Sequence, residues 1–179
     1  SALKTSGAAN YRALHFATHA LVDGARPSRS ALLLAASEAE DGLLQPAEIY
    51  ALTLTSELVV LSACRSAAGR ASAAEGMLSL ARAFMYAGAR SVVGSQWDVD
   101  DRSSARLMAR FYGALSQRKS VAAALRAAQI SLAGPDPYAT AAQWAGFVVS
   151  GDPHADPAFQ GTAQPRPVRL AGTLAATAA

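Results

Sequence analysis

The sequence predicts an open, mostly parallel α/β sheet with helices on both faces. Three observations carry that reading. Short continuous apolar runs recur along the chain, the form a strand takes when both its faces are covered. Amphipathic helical patterns separate the later runs. The alternation of the two is the signature of a layered α/β domain.

The elements follow in order. Ser1–Asn10 (SALKTSGAAN) is a polar lead without the apolar core of a signal peptide. Tyr11–Thr18 (YRALHFAT) is β-compatible, with Leu14 and Phe16 apolar. Ala31–Ala35 (ALLLA) is a second short run, and a turn-like acidic segment, Glu38–Gly42, follows it. Glu57–Ser62 (ELVVLS) is a third, Arg90–Gln96 (RSVVGSQ) a fourth and Gln143–Val149 (QWAGFVV) a fifth. The first long helical pattern, Ala74–Ala87, puts Met77, Leu80, Ala81, Phe84 and Met85 on one face, and Gly88 ends it. Ser103–Ser116 aligns Leu107, Met108, Phe111 and Leu115. Val121–Leu132 aligns Val121, Leu125, Ala128 and Leu132. After about Pro153 the periodicity fails, and a Pro-, Ala-, Gly- and Thr-rich tail or linker is expected. The plan is therefore a lead (1–10), one domain (11–153) and a tail (154–179). No internal repeat is visible.

Composition narrows the function. The 179 residues are 51% hydrophobic and 16% charged, which suits one globular domain and argues against disorder over most of the length. Sixteen Lys and Arg face thirteen Asp and Glu, with no basic run, so a nucleic-acid partner is not expected. No apolar stretch reaches the length of a membrane span. The single cysteine excludes an internal disulfide and fits a reducing, cytoplasmic compartment. One Cys and three scattered His give no metal-ligand spacing, so neither metal nor cofactor is expected.

Two residues stand where chemistry collects. Cys64 follows the run ELVVLS and His19 follows YRALHFAT, each at the carboxyl end of a predicted strand. Parallel neighbouring strands would bring both to one sheet edge. A thiol is a strong nucleophile when ionised, and an adjacent imidazole favours that state. Taken singly, each has an ordinary reading: Cys64 as a small buried hydrophobe, His19 as a structural imidazole. The order His then Cys, each after a buried strand, favours the pair.

The stretches HFATHA, GLLQPAEIYALTLTSELVVLSACRSAAG, EGMLSLARAFMYAGARSVVGSQWDVDD, LMARFY, AAALRAAQ and WAGFVVSGDP, in that order from about residue 11 to 153, resemble the CHAT-domain family. That family, named for a caspase-like domain found with tetratricopeptide repeats, belongs to the cysteine peptidase clan of caspases and separases. The resemblance implies a caspase-like fold, His19 as general acid/base and Cys64 as nucleophile. It implies an oxyanion hole from the N–H groups of Ala20 and Cys64. Ala20 stands where the family usually has Gly, and Ser66 where it often has Thr, while Gly69 is kept. The family's further strands before the histidine strand are expected to be missing here. Asp98, Asp100 and Asp101 fall in a stretch, WDVDD, that resembles the pocket wall of separases, which cut after Arg. Asp98, with Asp100 beside it, is the expected substrate-binding acid, and Asp101 the expected cap of the next helix. Glu75 and Gly76 match an acidic-Gly pair ahead of the long helix.

The expected activity is a cysteine endopeptidase acting on a protein or peptide substrate, regulated by a tetratricopeptide-repeat region of the parent protein. The alternative is a caspase-like interaction module that is weakly active or inactive. A serine hydrolase of α/β type is set aside for want of a G-x-S-x-G elbow. His15 is expected to be a packed structural residue, Trp97 and Trp144 packing anchors, and His154 solvated.

Overall fold

The computed structural model describes residues 11–23, 25–38, 40–62, 64–65, 73–134 and 140–157. Its main sheet has the order β1 (Ala13–Phe16), β5 (Leu58–Leu61), β7 (Ser91–Ser95) and β8 (Phe147–Gly151). The first three run parallel and β8 runs antiparallel to β7. A second sheet joins β4 (Leu43–Leu44), β3 (Ala31–Leu33), β2 (His19–Leu21) and β6 (Cys64–Arg65).

The central strand β5 explains why its sequence is uninterruptedly apolar. Leu58, Val59, Val60 and Leu61 are all 0% exposed. A strand sends successive side chains to opposite faces. Val59 and Leu61 join one core, with Phe16, Ile49 of α1 (Pro46–Tyr50), and Leu80 and Phe84 of α2 (Ala73–Tyr86). Leu58 and Val60 join the other, with Leu107 and Phe111 of α3 (Asp101–Ser116) and Val121 and Leu125 of α4 (Val121–Ala133). Helices thus cover both faces, and each fully buried aliphatic side chain contributes about 1.5–3 kcal/mol.

The helix ends follow from local chemistry. Helix α2 stops at Gly88, whose φ is 114°. The Gly88 amide donates to the Met85 carbonyl (3.1 Å) and the Ala89 amide to the Phe84 carbonyl (3.0 Å). This is the paired pattern of a glycine-terminated helix. A Cβ on Gly88 would lie 2.2 Å from the Leu54 carbonyl oxygen, so the turn and the packing both demand glycine. Helix α3 begins at Asp100, whose carboxylate accepts from the amides of Arg102 (3.0 Å) and Ser103 (3.2 Å). Asp100, not Asp101, is therefore the cap: it alone of the two has the extended ψ of 151° that aims its side chain back at those amides.

Other boundaries differ from the sequence reading for identifiable reasons. The expected strand Tyr11–Thr18 is interrupted at Ala17 and Thr18, and resumes as β2. The expected fifth strand begins late: Ala141–Trp144 forms a helical turn, α5, started by a reciprocal box between Thr140 and Gln143, and the strand is Phe147–Gly151. The two-residue strand β4 and helix α1 were not legible as periodicity. A box between Gln45 and Glu48 and a Pro at the first helical position explain why GLLQPAEIY turns helical. The packed body also runs past Pro153 to Pro157. Ala155 is 1% exposed, and its carbonyl accepts from the Val121 amide at the start of α4 (3.0 Å).

Candidate functional site

The site lies where the main sheet passes into the second one. Residues 45 apart are partners throughout: Ala13 with Leu58, Phe16 with Leu61, and then His19 with Cys64. The ladder β2–β6 therefore continues β1–β5 in the same parallel register across the interruption. Two contacts hold that interruption. The Ser62 amide donates to the Phe16 carbonyl (3.0 Å), and the Thr18 hydroxyl donates to the Leu33 carbonyl.

Adjacent strands lie about 4.8 Å apart, so registered positions are well within side-chain reach of each other. His19 is exposed, while Ala20 after it is 0% exposed and belongs to the α2-side core. The strand thus presents the imidazole away from that core and locks its neighbour into it. Both candidates sit inside short strands of the second sheet rather than in loops past the first.

β7 runs parallel to β5, so its carboxyl end opens at the same sheet edge. Asp98 follows there and is exposed. The loop around it is fixed: Val99 is 6% exposed, and the Trp97 indole N–H donates to the Ala142 carbonyl (3.0 Å). A Cβ on Gly146 would lie 2.7 Å from Val99, which shows how closely β8's approach abuts this loop. Asp100 is exposed too. Hydrogen bonds from Ser103, hydroxyl first and amide second, hold its carboxyl below the usual range. Trp97 and Trp144 both pack against the α3–α4 core as anchors.

His15 lies on β1, four residues before His19. Its ring stacks on Tyr112 of α3 (centroids 5.6 Å apart), and its Nδ1 shares a 2.9 Å hydrogen bond with the tyrosine hydroxyl. Its Nε2 is buried with no hydrogen-bond partner among the described residues. Burial lowers the His15 pKa and raises that of Tyr112. His15 is thus the packed residue its strand position predicts. Its pairing with a tyrosine 97 residues away left no trace in the local sequence pattern.

A model of the CHAT domain matches residues 1–152. The chain belongs to the CHAT-domain family. Tetratricopeptide repeat protein 28 of Mus musculus is 34% identical over 109 residues, and its Homo sapiens counterpart 32% over 109. The match takes in 61% of this chain but spans only 4% of either relative's length.

Within this CHAT domain the alanine in the family's glycine position has a structural account. The Ala20 methyl is buried in the α2-side core. Its backbone is also ordinary, since Arg118 is the non-glycine residue with positive φ among those described. Gly76 is required by close approach: a Cβ there would lie 2.3 Å from Val22 and 2.6 Å from the Ser30 hydroxyl. Glu75 is exposed in the first turn of α2, where a carboxylate complements the helix dipole. His154 is exposed. Ser66 and Gly69 lie outside the described residues. Among those described, no helix is long and apolar enough to cross a membrane.

Proposed function

We propose that this CHAT domain is a cysteine endopeptidase with Cys64 as nucleophile and His19 as general acid/base. The observation that supports it most is the backbone register that sets His19 directly opposite Cys64 at the carboxyl end of two parallel strands. The sulfur attacks the scissile carbonyl carbon. The amides of Ala20 and Cys64 donate to the resulting oxyanion. His19 protonates the leaving amine as the C–N bond breaks, then takes a proton from the water that hydrolyses the thioester.

The substrate is a protein segment with a basic residue before the cleaved bond. Asp98, exposed at the same sheet edge, is the acid that pairs with it. Asp100 caps α3 and adds its negative charge to the same edge. The tetratricopeptide-repeat names of the relatives support a parent protein in which such repeats restrain or deliver substrates to the domain. A nucleophilic thiol suits the reducing cytoplasm.

The test is labelling by electrophilic peptides. A probe with Arg at the recognition position should modify the wild-type chain and neither Cys64→Ala nor His19→Ala. Equal labelling by an apolar probe removes Asp98 from the account. No labelling by any probe, with the fold intact, leaves an interaction module in place of a peptidase.

A further inference from the structure

We infer that Tyr112 is a positioning residue for His19, acting through His15 at the end of β1. The inference rests on the proposed role of His19, but its geometry is independent of that role. His15 and Tyr112 form the one stacked histidine–tyrosine contact among the described residues. The stack is reinforced by the hydroxyl–Nδ1 hydrogen bond, so the ring of His15 is fixed in rotation as well as position. A tyrosine hydroxyl inside a largely apolar core needs a partner, and so does a buried imidazole nitrogen. Each supplies the other's, while Nε2 of His15 has no partner among the described residues. Leaving a buried polar atom unpaired costs stability, and an aliphatic residue at position 15 would avoid that cost. The pair therefore has a job other than filling the core.

Its place in the fold indicates that job. His15 is the last residue of β1 to face the α3 side, because Phe16 turns to the opposite core. The strand breaks at Ala17 and Thr18 immediately afterwards, and His19 follows. Ala20 and Val22 both enter the α2-side core, so His19 leaves the sheet on the same side as His15. The break is anchored on one flank by the Thr18 hydroxyl on Leu33. Tyr112 anchors it from the α3 side. Helix α3 itself starts at the cap Asp100, two residues after Asp98. The Tyr112–His15 contact thus ties β1, the strand that leads through the break into His19, to the helix that follows the acidic loop.

The experiment uses the full chain and the imidazole signals of its three histidines, followed by NMR as pH is varied. Tyr112→Phe keeps the ring and removes the hydroxyl. His15→Phe keeps an aromatic ring and removes the nitrogen acceptor. Both should move the His19 ring signals and its titration midpoint, leave His154 unchanged, and in combination move His19 no further than either alone. Cleavage of a basic peptide should fall about tenfold in kcat, an amount equal to about 1.4 kcal/mol, with KM within about twofold. If His19 titrates as in wild type in both variants while only the melting temperature falls, the contact is purely structural and the inference is overturned. If His19 shifts as expected but wild type never cleaves or labels, the positioning stands and the peptidase reading fails. Should Tyr112→Phe not fold, His15→Phe alone decides by the same signals.

Discussion

The lower and upper halves of one two-strand ladder behave differently. β1–β5 and β2–β6 share a single parallel register, offset by the same number of residues. Below the break, β5 is wholly enclosed between two cores. Above it, β2 alternates: exposed His19, buried Ala20, exposed Leu21. The lower half is built for burial and the upper half for presentation. What separates them is the interruption at Ala17 and Thr18: below it the next neighbour is β7, on β5, and above it the next neighbour is β3, on β2. The enclosed lower ladder sets the register in which the upper one places His19 opposite Cys64.

This contrast can be broken at several points. The largest effect on folding should come from Leu61→Ala, at the top of the buried half. A fully buried leucine truncated in a covered strand costs about 2–5 kcal/mol, read as a shift of the urea midpoint. A loss under about 1 kcal/mol would mean the lower ladder is not the anchor. Ala20→Gly, which restores the family's usual residue, removes a buried methyl and adds chain entropy. It should cost about 1–2 kcal/mol, read as a shift of the urea midpoint; greater stability would contradict the buried role of that methyl.

A third test concerns acid. The His15 pKa is lowered in the fold by burial, from an ordinary value of 6.5. Below that ordinary value the unfolded chain takes up the proton first. Stability is therefore complete above about pH 6.5 and is lost as pH falls toward the folded-state value. His15→Phe should flatten this part of the curve of urea midpoint against pH. An unchanged curve would assign the acid sensitivity elsewhere. The smallest effect should come from Asp100→Ala, which removes the α3 cap. Its melting temperature should fall modestly, and Asp101→Ala should change it less. The reverse order would overturn the assignment of the cap.

The sheet and its three long helices were legible because their signals are long and local. ELVVLS and RSVVGSQ read as doubly covered strands, and Gly88 as a helix stop, from residue type alone. That His19 and Cys64 fall on neighbouring strands was legible because each follows an apolar, strand-like run. The misses share a cause. The turn at Ala141–Trp144 and helix α1 depend on side-chain boxes too short for periodicity. The choice of Asp100 over Asp101 depends on a backbone angle that adjacent aspartates do not reveal. The His15–Tyr112 contact depends on which helix face meets which strand, a long-range fact with no local trace.

The most direct test of the central claim uses the fact that Cys64 is the only cysteine. Its rate of alkylation by iodoacetamide should be measured against pH in wild type and in His19→Ala. If the two residues act as a pair, wild type keeps a reactive plateau well below the ordinary thiol pKa of about 8.5, and His19→Ala loses it. Two superimposable curves, both rising only near about pH 8.5, would contradict the account.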